Sequence, residues 1–167
     1  FAAEYNQTID AIPEEDRAWD LYIQIYTMLD PLPKDLENSW PALAPEHPRY
    51  AEALAYLESQ QDVLAIARTA AARPHLGQPF ADQLDPRIIA ADNARNPDAH
   101  LEVQSPSENP MLVGVMLPNL GNMRAVSRLL AFDAHLAAGQ RDGGRVVQDI
   151  ATMLGTGRLA GDSPTLI

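Results

Sequence analysis

Fourteen prolines punctuate this 167-residue chain, and their spacing restricts where helices can run. A proline ring cannot donate the helical hydrogen bond and clashes with the preceding turn. Long helices therefore belong in the four stretches that proline spares: residues 1–12, 14–30, 49–73 and 119–163. Composition agrees. Ala and Leu together number 46, against 16 for Val and Ile, and strands favour the β-branched pair. The expected fold class is all-α: antiparallel helix pairs in a superhelix or irregular bundle. One domain is expected over 1–167, with one long Pro-rich loop at 74–109.

The second window opens with Pro13 and then Glu14, Glu15 and Asp16, which suits a helix start because acids complement the exposed amides of the first turn. Trp19, Tyr22, Ile23, Tyr26 and Leu29 then recur at 3–4 spacing, with Leu21, Ile25 and Met28 widening the stripe, so this helix should be mostly buried. Residues 31–48 read as an extended connector with Trp40-Pro41 as its anchor. The window 49–73 reads as one continuous helix. Its two stripes, Tyr50, Leu54, Leu57, Leu64 and Tyr56, Val63, Ala67, Ala70, require neighbours on both sides.

Within the loop 74–109 only Asp85 to Ala94 looks helical, with Asp85 as cap and Pro86 behind it. A loop of this length in a compact domain is packed over the helices, an Ω-type functional loop, or disordered, and Phe80, Leu84, Ile88, Ile89 and Leu101 argue for at least partial packing. Asn109-Pro110 reads as the next helix start, continuing through Pro118 to about Ala138, with Gly139 as the stop. After a tight turn at 140–143, a last helix to Leu159 should face Val146, Ile150, Met153 and Leu154 inward. Ser163-Pro164 looks like the opening of a further helix.

Charge and composition exclude several classes. A formal charge of −11 and a pI near 4.6 oppose nucleic-acid binding, which needs clustered Lys and Arg. The acids crowd the N-terminal part, and the arginines are relatively enriched after residue 119. Zero Cys removes thiol nucleophiles, thiolate zinc sites and disulfides. The longest apolar run, Met111 to Leu117, is too short to span a bilayer, so no membrane insertion is expected within this chain. A first residue of Phe1 in place of Met suggests an upstream piece, and an extracytoplasmic location follows if that piece is a signal or anchor.

Leu120 to Asp149 resembles one helix-turn-helix unit of the tetratricopeptide-like class. The matching residues are Ala125, Ala134, Ala137 and Ala138, then Gly139 and Asp142 in the turn. The consensus Trp, Tyr and following Pro are absent. Ala72-Arg73-Pro74-His75-Leu76-Gly77, Asn109-Pro110-Met111-Leu112, Arg124 through Ala134 and the Pro164-Thr165-Leu166-Ile167 tail resemble an all-helical family of planctomycete-type bacteria. That resemblance implies an all-helical fold and no activity. The unit resemblance implies a right-handed, tetratricopeptide-like superhelix that binds a protein or peptide.

Asp133 is the most informative polar residue, because at helical spacing it falls among Val126, Leu129, Leu130 and Ala137. A carboxylate there must be paired or hydrogen-bonded. Arg68 poses the mirror problem beside Tyr50 and Leu57. Asp133 is therefore expected to bond an arginine or loop amides and to hold the long loop on the helices. Arg73 and His75, where helix becomes loop, mostly suit the free helix carbonyls, with a binding site under the loop as the sharper reading. Tyr56 could join such a site. The four histidines lack metal-ligand spacing, and Gly155 to Gly161 has no phosphate-loop ending, so neither a metal nor a cofactor is expected.

These features favour a non-catalytic interaction or scaffold module for a peptide or protein. The alternative is a small-ligand binder or enzyme with a site beneath the loop, built from Arg73, His75, Asp133, Tyr56 and Arg68. A structural domain of a larger anchored protein is a third reading. The oligomeric state stays open.

Overall fold

The windows that proline spares are helical. A computed structural model describes residues 2–32, 44–80, 85–95 and 112–162, and among them the fold is all-α with seven α-helices. They are α1 (Ala2–Asp10), α2 (Trp19–Met28), α3 (Tyr50–Ser59), α4 (Gln61–Ala71), α5 (Pro86–Arg95), α6 (Leu112–Gly139) and α7 (Gly143–Gly161). The described residues hold no β-strand beyond an isolated parallel bridge between Arg17 and His75. Trp40-Pro41, Leu84, Leu101, Asn109-Pro110 and Ser163-Pro164 lie outside the described residues.

Two expected helices are each divided. The window 14–30 contains a 3-10 turn (Glu14–Asp16) and then α2, because Arg17 turns extended (φ −94°, ψ 136°) to meet the 75 region. Ala18 N–H donates to the His75 carbonyl at 3.0 Å, and His75 N–H donates to the Asp16 carbonyl at 3.2 Å. The window 49–73 breaks at Gln60 (φ −101°, ψ 13°), with no proline present. Gln60 is buried, and its amide holds Asp30 at the end of α2: Nε2 donates to Asp30 Oδ2 at 2.9 Å, and Oε1 accepts from Asp30 N–H at 3.2 Å. A buried amide must satisfy these bonds, and a kink that aims it at Asp30 does so.

The core forms where α2, α4, α6 and α7 meet. α6 and α7 make the broadest helix contact, α4 packs on both α2 and α7, and α5 lies on α2. Tyr22, Ile23 and Ile25 of α2 are completely enclosed, with Leu57, Leu64, Val126, Leu129, Leu130 and Phe132. Each such side chain contributes roughly 1.5–3 kcal/mol by leaving water. Of the predicted stripe, Trp19, Tyr22, Ile23, Ile25 and Tyr26 are buried, Leu21 and Leu29 are half-buried, and Met28 is exposed. Ile88 and Ile89 of α5 are buried as expected, and Asp85 caps that helix, accepting from Arg87 N–H at 2.9 Å.

The turn between α6 and α7 differs from expectation in its stop residue. Gly139 stays helical, and Arg141 takes the left-handed conformation (φ 60°). Asp142 N–H donates to the Ala137 carbonyl at 2.9 Å and Arg141 N–H to that of Ala138 at 3.0 Å. These are the two bonds of a Schellman motif, which satisfy the last free carbonyls of α6. Asp142 then caps α7, its Oδ1 accepting from Arg145 N–H at 3.1 Å.

α7 is rotated relative to the expected orientation. Its buried residues are Asp149, Thr152, Thr156 and Leu159. Val146 and Met153 are half-buried, and Ile150 and Leu154 face outward. Two contacts impose this rotation. Gly155 passes so close to α4 that a Cβ there would lie 2.5 Å from the Ala71 carbonyl oxygen. Tyr22 of α2 donates its hydroxyl to Thr156 Oγ1 at 3.1 Å, and Thr156 donates to the Thr152 carbonyl at 2.9 Å. The polar side of α7 thus meets partners that only a buried position offers.

Candidate functional site

Asp133 sits midway along the buried face of α6 and Asp149 on the buried face of α7, and both carboxylates are fully enclosed. Arg68 reaches them from α4. Its Nη2 donates to Asp133 Oδ2 at 2.8 Å and to Asp149 Oδ1 at 2.6 Å, and its Nε donates to Asp149 Oδ1 at 3.1 Å. Arg145, in the first turns of α7, donates Nε to Asp133 Oδ2 at 2.9 Å and Nη2 to Asp133 Oδ1. Two arginines and two aspartates form a neutral quartet that ties α4, α6 and α7 together.

The two acids differ electrostatically. Burial alone raises the pKa of Asp133, but hydrogen bonds from Arg145 and the charges of both arginines outweigh it and hold the carboxyl below its ordinary value. Burial also dominates at Asp149. Arg68 opposes it, the neighbouring Asp133 carboxylate adds to it, and Asp149 ends above its ordinary value. Asp149 Oδ2 has no hydrogen-bond partner. The cation that Asp133 needed is thus supplied by Arg68 and Arg145, with loop amides taking no part among the described residues. The quartet has no cleft of its own, and its chemistry is the joining of helices.

Arg73 and His75 lie elsewhere, on the strap that follows α4. The strap is pinned from α7: Arg158 donates its guanidinium to the carbonyls of Arg73 and Pro74, and Leu76 N–H donates to Asp162 Oδ2 at 3.3 Å. The arginine serving the end of α4 is therefore Arg158 rather than Arg73. Gly77 takes φ 64°, and a Cβ there would press into the Arg17 side chain at 2.6 Å. Arg17 and Arg73 line an open depression of about 370 Å³ with Glu14, Glu15, Asp20 and Leu21. The Nε of each arginine is buried without a partner, yet three carboxylates outnumber the two guanidiniums there.

Tyr56 is at a third place. Its hydroxyl donates to the Asp30 carbonyl at 2.7 Å, beside the Gln60 clamp on the same residue. Of the five residues singled out from sequence, the structure joins Arg68 to Asp133 and leaves Arg73, His75 and Tyr56 apart from them. Among the hydrogen bonds of the described residues, none joins the quartet to Arg73 or His75. Among the described residues no group of three or more His, Asp or Glu side chains is arranged to hold a metal ion. Nor is any described helix long and apolar enough to cross a membrane.

The surface that sequence reading missed is the outer side of α7. Val147, Ile150 and Leu154 are 68%, 46% and 71% exposed, with Ala151 and Gly157 between and beyond them. At helical spacing they stand opposite Asp149, Thr152 and Thr156. A signal existed: Asp149, Thr152 and Thr156 form a polar stripe at 3–4 spacing, and Arg68, on the apolar side of α4, needed such a stripe. Periodicity alone assigns the apolar stripe to the core, because it has no way to see that cation.

Charge is sorted on the same hairpin. All four carboxylates of residues 119–162 are engaged internally: Asp133 and Asp149 in the quartet, Asp142 as cap, Asp162 on the Leu76 amide. The exposed charged groups along α6 are Arg124 and Arg128, which make no ion pair or hydrogen bond among the described residues, with His135 on the same face. Compared with known proteins, the chain matches no family model, no curated protein and no solved structure. The tetratricopeptide-like and planctomycete-type likenesses thus rest on the quoted residues alone.

Proposed function

We propose that this chain is a non-catalytic interaction or scaffold module that engages a peptide or protein on the outer side of the α6–α7 hairpin. In this reading its helix pairs stack in the manner of a tetratricopeptide-like superhelix, and the hairpin is one exposed unit of it. The observation that carries the proposal is the inverted α7, whose apolar stripe faces solvent while its aspartate and threonines face the core. Grouped large apolar side chains in water mark surfaces that another molecule covers, whereas single ones need no explanation. The separation of Arg68–Asp133, Arg73–His75 and Tyr56 supports a binding surface over a catalytic constellation, which needs convergent groups.

A peptide array tests it, probed with the native chain and with the Ile150→Glu/Leu154→Glu double variant. Peptides retained by the native chain and lost by a variant of unchanged circular dichroism support the module. An array with no bound peptide, or with equal binding by both chains, overturns it.

A small-ligand reading rests on the depression beside Arg73, where two guanidinium Nε groups lack partners. It ranks second because the acidic lining repels the anions that arginines attract.

A further inference from the structure

We infer that the partner of the α6–α7 face is an acidic amphipathic helix, which docks its apolar stripe on Val147, Ile150 and Leu154 and its carboxylates on Arg124 and Arg128. This inference rests on the interaction reading above and adds the chemistry of the occupant. Three features of the hairpin carry it.

The first is shape. α6 and α7 run antiparallel, joined by a short turn and held in register by the Asp133–Arg145 ion pair. Helical spacing places Ser127, Ala131, Ala134 and Ala138 on one flank of α6, between the buried Asp133 side and the exposed Arg124 and Arg128. These are small, and the first three are half-buried. In the inferred docking face the exposed Ile150 and Leu154 of α7 supply the neighbouring row. A row of small residues next to a row of large ones makes a furrow in which a helix ridge can lie.

The second is register. Stepping equally back along α6 from Asp133 and forward along α7 from Asp149 brings Arg128 level with Leu154. Arg124 then lies level with the following turn of α7. Arg124 and Arg128 are exposed just beyond the small residues, so two guanidiniums border the furrow, with the exposed His135 further along the same face.

The third is charge. The whole chain carries −11, yet this face offers no free carboxylate, because every acid of residues 119–162 is bonded internally. The exposed residues of α7 are Gly, Val, Gln, Ile, Ala and Leu apart from Arg158, whose guanidinium is committed to the Arg73 and Pro74 carbonyls. An acidic helix finds complementary charge at this furrow, and a basic helix finds none among its described residues. A second copy of the chain is disfavoured as occupant, since two such faces would set like charges of Arg124 and Arg128 against each other.

Two synthetic helical peptides with the same leucine stripe, one filled with glutamate and one with lysine, test this by fluorescence anisotropy. The glutamate peptide is expected to bind about tenfold more tightly in low salt, the size of a few exposed ion pairs acting together, with the advantage shrinking at high salt. The Arg124→Glu/Arg128→Glu variant is expected to abolish or reverse that preference with unchanged circular dichroism. Leu154→Gln is expected to weaken both peptides. Because a −11 chain attracts cations in general, preference for the acidic peptide isolates the local border. Equal affinities, or preference for lysine, overturn the acidic partner; weakening by Leu154→Gln in that case still supports the face as a binding surface. Absence of binding by either peptide overturns the inference, and so does concentration-dependent dimerisation that Leu154→Gln removes in sedimentation.

Discussion

Asp133 on α6 accepts a 2.8 Å hydrogen bond from Arg68 on α4, across 65 residues of chain. The pair carries the same carboxylate to Arg145 and the same guanidinium to Asp149, so four charges are neutralised at one helix junction. Desolvation makes such a junction costly to half-break at Asp133, because its loss leaves the half-buried Arg145 without its carboxylate and Arg68 with one of two.

Asp133→Asn is therefore expected to cost about 3–5 kcal/mol in urea denaturation, since a neutral amide replaces the carboxylate that Arg145 pairs with and one of the two that Arg68 pairs with. Asp149→Asn keeps an amide oxygen for Arg68 and removes the acid that burial already disfavours, so its cost is expected near 1 kcal/mol. Equal losses for the two variants would contradict the division of labour described for the quartet.

The same two acids set a signed pH dependence. Asp149 has its pKa raised above 3.8 in the fold, so it binds a proton more readily folded than unfolded, and its contribution to stability grows as pH falls toward 3.8. Asp133 has its pKa lowered below 3.8, so its contribution is complete above that value and is lost as pH falls beneath it. Compared with Asp149→Asn, the native chain should gain relative stability between neutral pH and about pH 4. Parallel pH curves for the two proteins would show that Asp149 is not perturbed.

Gly155 and Gly157 give opposite results on replacement by Ala. A Cβ at Gly155 would meet the Ala71 carbonyl oxygen at 2.5 Å, and backbone of α4 cannot step aside without loosening the junction. A loss of about 1–3 kcal/mol is expected despite the better helix propensity of Ala. Gly157 has nothing within 4 Å, so the same change should stabilise by about 1 kcal/mol. Thermal melts of the two variants should move in opposite directions.

Arg141 occupies the left-handed position of the Schellman turn, where a Cβ is unfavourable. Arg141→Gly is expected to stabilise the chain by about 1 kcal/mol, read as a raised melting temperature. A lowered melting temperature would indicate that the Arg141 side chain holds the turn by contacts of its own.

Leu154→Gln should leave stability within about 0.5 kcal/mol, because the side chain is 71% exposed. A core position at the same place would cost several times more. Chemical denaturation of this one variant thus distinguishes the rotated α7 from the orientation that its apolar spacing suggests.

Much of the helical layout was legible in the residues. Asp85 before Pro86 marks the start of α5, Trp19 to Tyr26 mark the buried face of α2, and the apolar company of Asp133 announces a buried carboxylate that needs a cation. Each signal is local, since a cap, a stripe or an isolated charge acts over a few residues. Gln60 was not legible as a break, because the Asp30 that bends the helix lies 30 residues away. Arg145 was overlooked since it looks like an ordinary surface charge at a helix start. The rotation of α7 escaped for the same reason: Arg68, Tyr22 and Ala71, which impose it, belong to other helices.

The amino-acid order by itself determined that the chain forms helices and where proline interrupts them, because backbone donors and ring sterics act within a single turn. It also determined that Asp133 and Arg68 must be satisfied, because burying a charge is costly wherever it happens. Tertiary structure alone decided which charges meet and which side of α7 faces water, because a buried carboxylate and a close helix crossing outweigh a few exposed apolar side chains.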